Sequence, residues 1–252
     1  MKRLIVFDLD GTLAPSKSPL EPDMAEWLAR LLDICPVAVI SGGAWPQFET
    51  QLLANLPSDD RLRRLSLLPT SGTRFMAYDD ARWRQLYAED FTAEQKAEII
   101  EALSDVFRAS GFAPVQHWGE IIEDRGSQIT LSALGQQAPL DQKMTWDPDF
   151  SKRRAMKAML QPRLSQFSIG MGGSSSIDVT RPGIDKAYGI AKLTSVLGVD
   201  ARDMLFVGDA LFEGGNDFPV RRTGAACIQV SGPSETLKVI EAVVACQAGG
   251  AP

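Results

Sequence analysis

Residues 3–13 read Arg-Leu-Ile-Val-Phe-Asp-Leu-Asp-Gly-Thr-Leu. A short apolar run suited to a buried strand ends on two carboxylates, Asp8 and Asp10, spaced i and i+2, before Gly11 and Thr12 turn the chain. A strand that delivers acids to its carboxyl end sits where open α/β sheets bind ligands. Two carboxylates this close repel each other unless a cation joins them or one keeps a proton. Both conditions suit phosphoryl transfer: a cation neutralises phosphate, one carboxylate attacks phosphorus, and the other carries the leaving-group proton. A calcium loop beginning at Asp8 fails, because Leu13 stands where the glycine is required and Pro19 where the bidentate glutamate is required. A decorative surface turn is the other alternative, but such turns rarely follow Leu-Ile-Val-Phe directly.

Three later segments can complete such a site. Ser41 follows the apolar run Val37-Ala38-Val39-Ile40, and its hydroxyl with the amides of Gly42 and Gly43 can bind phosphate oxygens. Lys186 opens a helical pattern. A cation in a first turn opposes the helix dipole by about 0.3–1 kcal/mol, which makes sense if it faces phosphate and acids. Leu205-Phe206-Val207-Gly208 runs into Asp209, and Gly214-Gly215-Asn216-Asp217 follows within one loop. Asp8, Asp209 and Asp217 form a hard, oxygen-only donor set of the kind that binds Mg²⁺.

Composition narrows the alternatives. A net charge of −6 argues against nucleic-acid and membrane-surface binding. The basic clusters Arg61/Arg63/Arg64 and Lys152/Arg153/Arg154 are expected on solvated helix faces. His117 is the only histidine, so a Ser-His-Asp triad or a histidine zinc site would have to use it alone, which excludes most such hydrolytic alternatives; a structural role is expected for it. Cys35, Cys227 and Cys246 lack metal-ligand spacing. With no secretory leader and no apolar run of membrane-spanning length, a cytoplasmic location is the expectation.

The elements that must carry these residues alternate as βαβ units at both ends of the chain. Strands are expected at about residues 3–7, 36–40 and 65–69, helices at 22–33 and 46–54, and a hairpin at 73–78 and 82–87. The character then changes: a helix at 92–110, with Thr92 and Gln95 at capping-box spacing, short strands at 121–124 and 128–132, a basic helix at 151–160, and strands at 167–171 and 176–180. The run Gly172–Ser176 reads as a ligand-facing turn. A helix at 186–197, strands at 204–207 and 225–230, and a last helix capped by Ser234 complete the pattern. The expected fold class is α/β: a Rossmann-like core of parallel sheet, residues 1–83 and 183–252, with an inserted α+β domain at 84–182.

The opening stretch resembles the first motif of the haloacid dehalogenase superfamily, and Ser41, Lys186 and Asp209 resemble its second, third and fourth. That resemblance implies Asp8 as nucleophile, Asp10 as general acid/base, and the Asp10 backbone carbonyl as a further Mg²⁺ ligand. Gly208-Asp209-x5-Gly215-Asn216-Asp217, Ile177-Asp178-Val179 and Gly183-Ile184-Asp185-Lys186 look like motifs of eukaryotic-type phosphomannomutases. The likeness is patchy over about residues 4–241 and implies the type IIB branch, whose α+β cap is inserted in the same place.

In the resembled mutases the cap grips a second phosphate with arginines and sugar hydroxyls with a serine and an aspartate. Arg125 matches the first arginine, and Ser176 and Asp178 match the hydroxyl binders. Gln136 and Lys143 stand where further cap arginines are expected, and Lys17 where a core arginine is. Asn216, Gly42 and Gly43 join this substrate-binding set. Lysine is a point charge and glutamine none, against arginine's bidentate fork; a lost charged hydrogen bond costs about 1.5–3 kcal/mol. Arg181 is the nearby arginine that can compensate. The resulting expectation is a Mg²⁺-dependent phosphatase acting on a sugar phosphate. A hexose-phosphate mutase is the second reading and a non-catalytic sugar-phosphate sensor the third. A small-molecule sugar phosphate is then the partner, and exposed apolar residues of the cap offer a homodimer surface like that of the mutases.

Overall fold

The computed structural model describes residues 2–248. The chain forms two compact units, one running up to Ala88 and resuming at Asp185, the other Glu89–Ile184. The first unit begins with β1 (Leu4–Phe7), α1 (Pro22–Ile34), β2 (Val37–Ile40), α2 (Trp45–Gln51), β3 (Leu65–Leu68), β4 (Arg74–Asp79) and β5 (Arg82–Ala88). The second contains α3 (Ala93–Ala109), β6 (Ile122–Asp124), β7 (Gln128–Ser132), α4 (Leu140–Trp146), α5 (Ser151–Leu160), β8 (Ser168–Gly172) and β9 (Ser176–Thr180). The first unit then resumes with α6 (Lys186–Leu197), β10 (Met204–Gly208), β11 (Ala226–Gln229) and α7 (Pro233–Ala248).

The core sheet has the order β11-β10-β1-β2-β3-β4-β5, parallel as far as β3 and antiparallel thereafter. All four residues of β1 are buried, as expected of a central parallel strand covered on both faces. Its side chains alternate: Ile5 and Phe7 pack with α1, α2 and α7, while Leu4 and Val6 pack with Ile190 and Leu193 of α6. Phe7 is in register with Val207, so β1 and β10 end side by side, and the Asp8 amide donates to the Val207 carbonyl at 3.0 Å. That register brings Asp8 and Asp209 out of the sheet as neighbours.

In the second unit the sheet β6-β7-β9-β8 is wholly antiparallel. Ile129, Leu131, Ile177 and Val179 pack with α3 and α5 on one face. The alternate residues carry polar side chains to the other face, where the cross-strand row Glu123–Thr130–Asp178 lies. α3 starts with both bonds of a capping box, Thr92 with Gln95.

Four expectations are corrected. The boundary at residue 83 falls inside β5, whose ladder with β4 keeps it in the core sheet, so the seam lies after Ala88. α4 was not expected; at seven residues, with Leu140 and Met144 a single i, i+4 apolar pair, it is too short to show a helical period. The last helix starts at Pro233, so Ser234 lies inside it; Ser231 instead donates its amide and hydroxyl to Glu235. Arg153 is not on a solvated face. It is 1% exposed, its Nε donates to Asp147 Oδ2 at 2.7 Å, and its Nη1 donates to the Gly173 carbonyl at 2.8 Å. It thereby ties α5 to the turn between β8 and β9.

Breaking this buried pair by removing one partner leaves a charge uncompensated. Asp147→Ala should therefore lower stability by about 3–5 kcal/mol, while Asp105→Ala, which opens the exposed pair with Arg163, should cost under about 1 kcal/mol. Urea unfolding followed by tryptophan fluorescence tests both, and equal effects would contradict the role given to Arg153.

Candidate active site

The site is built where β1, β10 and the first turn of α6 meet. Lys186, the first residue of α6, is 1% exposed, and its ammonium donates to Asp8 Oδ1 at 2.5 Å and to Asp217 Oδ1. Asp185 in front of it caps the helix by accepting from the Tyr188 amide, so the helix N-terminus is satisfied while the lysine turns inward. Asp217 is completely buried, and its Oδ2 accepts from the Ala210 amide at 2.9 Å, which folds the loop after β10 back over the strand end. Carboxylate oxygens of Asp8, Asp209 and Asp217 lie within 4.8 Å of one another.

Thr12 joins the pieces. Its hydroxyl contacts Asp8 Oδ2 at 3.2 Å and Asp209 Oδ1 at 3.4 Å, and it accepts from the Asp209 amide at 3.1 Å. A single rotor hydrogen can serve only one of those carboxylates at a time. Gly11 makes the turn possible: its φ is +83°, and a Cβ there would lie 2.6 Å from Asp209 Oδ2. Thr12 was read in the sequence only as a turn residue; its signal was a hydroxyl placed just past a strand that ends in acids.

Burial governs the electrostatics. It pushes the Asp8 carboxyl up to about 7; the Lys186 ammonium opposes this, and Asp217 and Asp209 reinforce it. Burial also raises Asp209, with Asp217 adding to it. The Lys186 ammonium would be lowered by burial alone, but Asp8 and Asp217 hold it above its ordinary value. Three carboxylates share one ammonium here, so a divalent cation would balance the charge. Their hard oxygen donors fit Mg²⁺.

Asp10 is oriented differently. Its Oδ1 accepts from the Lys17 amide at 2.7 Å and from Gln51 Nε2 at 3.1 Å, and its Oδ2 accepts from Gln47 Nε2 at 2.6 Å. The Lys17 side chain is exposed; it is the backbone of Lys17 that reaches Asp10. Gln47 and Gln51 were missed in the sequence, although their i, i+4 spacing puts both on one side of α2. Ser41 is buried at the end of β2, and its hydroxyl accepts from the Gly43 amide at 3.1 Å. Asn216 is exposed next to Asp217.

Within the second unit, Arg125 donates Nε and Nη2 to Glu123 Oε2 at 2.9 and 2.7 Å, so a carboxylate already occupies much of its fork. Asp178 accepts from the Thr130 hydroxyl at 2.7 Å, and Ser176 lies two residues before it on the same strand face. Lys143 donates to the Gln136 carbonyl at 3.0 Å. Arg181 donates to the carbonyls of Glu89 and Asp90 and lies 4.7 Å over the Phe91 ring, so it fastens the end of β9 to the segment before α3. His117 is exposed, with Nδ1 3.2 Å from the Gly119 carbonyl. Among the described residues no helix is long and apolar enough to cross a membrane.

Comparison with known proteins bears on the fold and the family. Two solved structures share the fold: Plasmodium falciparum IMP-nucleotidase, N-terminally truncated, with TM-score 0.70 at 16% identity over 96% of this chain and 70% of that one, and a haloacid dehalogenase-like hydrolase from Bacteroides thetaiotaomicron, with TM-score 0.61 at 14% identity over 96% of this chain and all of that one. The phosphomannomutase of Spinacia oleracea is 26% identical over 245 residues, which is 93% of each protein. The family profile described as eukaryotic phosphomannomutase matches residues 69–246, which include Lys186, Asp209, Asp217 and the whole inserted unit. With most of its length matched by that profile, the chain belongs to the eukaryotic phosphomannomutase family.

Proposed function

We propose that the chain is a Mg²⁺-dependent phosphatase of sugar phosphates that works through a phospho-Asp8 intermediate. The observation that carries this reading is the buried Asp8 carboxylate, bonded to Lys186 and grouped with Asp209 and Asp217. Lys186 holds Oδ1 of Asp8 and Thr12 lies against Oδ2, which fixes the plane of the carboxylate while leaving it lone pairs for attack. Asp8, Asp209 and Asp217 would hold Mg²⁺, with the Asp10 carbonyl as a further ligand; when bound, the ion neutralises charge on the phosphoryl group. An Asp8 oxygen attacks phosphorus, the bond from phosphorus to the sugar oxygen breaks, and Asp10 gives that oxygen a proton. Asp10 then takes a proton from a water that attacks phosphorus, the acyl-phosphate bond breaks, and inorganic phosphate leaves. Ser41 with Gly42 and Gly43 is assigned to the phosphate oxygens. Arg125, Gln136, Lys143, Ser176, Asp178, Lys17 and Asn216 are assigned to the rest of the substrate.

A mutase is the second reading, and the family to which the chain belongs favours it. Both reactions begin with phospho-Asp8. They part where a mutase must hold a bisphosphate while it reorients. Hydrolysis is supported by the charge inventory: Glu123 neutralises Arg125, and a glutamine and two lysines stand at the positions matching the other arginines.

A panel of hexose monophosphates assayed for both phosphate release and 1-to-6 transfer should show release as the faster process, with little stimulation by a hexose bisphosphate. Interconversion faster than release would make the protein a mutase. Glu123→Gln should move the ratio towards transfer by unmasking the Arg125 fork.

Mg²⁺ and a proton compete for Asp8. Without metal its carboxyl is protonated below about 7, so apparent Mg²⁺ affinity should fall as pH drops below 7, by up to about tenfold per unit for one displaced proton, and level off above it. The same raised pKa means that, without metal, the contribution of this group to folding is full below its unfolded value near 3.8 and is lost as pH rises through 7. The rise in melting temperature caused by Mg²⁺ should therefore be larger at about pH 8 than at about pH 6. An equal rise at both would contradict the pairing of Asp8 with the metal.

A further inference from the structure

The geometry points to Gln47 as a positioning residue for Asp10, a role that rests on the acid/base assignment just made. Asp10, Gln47 and Gln51 form a closed ring of side-chain hydrogen bonds. Gln47 Nε2 donates to Asp10 Oδ2 at 2.6 Å and to Gln51 Oε1 at 2.9 Å. Gln51 Nε2 returns to Asp10 Oδ1 at 3.1 Å and reaches the Pro15 carbonyl at 3.4 Å. The two Asp10 oxygens are therefore not equivalent. Oδ1 accepts from both the Lys17 amide and Gln51, whereas Oδ2 accepts from Gln47, which leaves Oδ2 the freer to exchange a proton with substrate.

The glutamine is itself held in place. Gln51 is 3% exposed and fixes one Nε2 hydrogen of Gln47. Gly43 makes room for the other end of the amide, since a Cβ at Gly43 would lie 2.2 Å from Gln47 Oε1. The absence of a side chain at residue 43 thus serves Asp10 as well as the strand-end loop. The ring also keeps the Asp10 carboxyl turned aside from Asp8, Asp209 and Asp217. Without it a fourth carboxylate two residues from Asp8 would be free to swing towards Lys186 and compete with Asp8 for its ammonium. Gln47 makes no bond to the Asp8 group, so its effect should reach the chemistry only through Asp10.

A leaving-group series separates this role from general support of the fold. Misplacing an acid matters most where the departing oxygen is strongly basic. In a single turnover, Gln47→Met should slow release of the alcohol from a sugar or alkyl phosphate about ten- to a hundredfold, while release of p-nitrophenolate, which leaves unaided, should change little; the later hydrolysis of phospho-Asp8, which also uses Asp10, should slow with both. Asp10→Asn should show the same split, and Gln47→Met added to Asp10→Asn should give no further loss. Gln47→Glu keeps the shape but removes the amide hydrogens; it must reproduce the split if the methionine variant does not fold. If Asp10→Asn shows the split and neither Gln47 variant does, the positioning role is wrong. If Asp10→Asn shows no split, the acid/base assignment itself fails.

Discussion

Three buried or half-buried carboxylates on one ammonium are the constraint around which the core is organised. Lys186 sits between Asp8 and Asp217 with almost no exposure, and Asp209 adds a further negative charge beside them. Isolated charges in such surroundings are strongly unfavourable, and one lysine cannot balance three acids. The arrangement persists because each partner is delivered by a rigid element: Asp8 and Asp209 by adjacent parallel strands in fixed register, Lys186 by a capped helix start, and Asp217 by a loop tied to the Ala210 amide. The residual negative charge makes the site receptive to a cation, and the cation in turn to phosphate.

A second division of labour runs through the inserted unit. Its sheet spends one face on a conventional apolar core with α3 and α5, and carries Glu123, Thr130 and Asp178 on the other. The two buried or nearly buried arginines of this unit have opposite meanings. Arg153 closes a structural pair with Asp147 and carries the β8–β9 turn. Arg125 is held by Glu123 on the polar face, a carboxylate that a phosphate would have to displace or share.

The buried charge cluster was legible in the sequence because strands of Leu, Ile, Val and Phe that stop on an acid are visible locally. Asp8, Asp209, Lys186 and Asp217 each carried such a mark, and the structure brings all four together. What escaped depended on partners distant in sequence or on spacing without an apolar pattern. Arg153 looked like one of three solvated bases because Asp147 and Gly173 flank it only after folding. α4 is too short to show a helical period. Gln47 and Gln51 are uncharged and sit on a seven-residue helix; their value appears only once the turn after β1 presents Asp10 to them.

The central claim is that Asp8 becomes covalently phosphorylated during turnover. Acid quenching of a single turnover with a sugar phosphate and Mg²⁺, followed by peptide mass mapping, tests it directly. The account predicts one phosphoryl group on the peptide containing Asp8, removable by hydroxylamine as an acyl phosphate should be, and formed before inorganic phosphate appears. Phosphate release without any acyl phosphate at Asp8 across the time course, or a phosphoryl group on another residue, would contradict it.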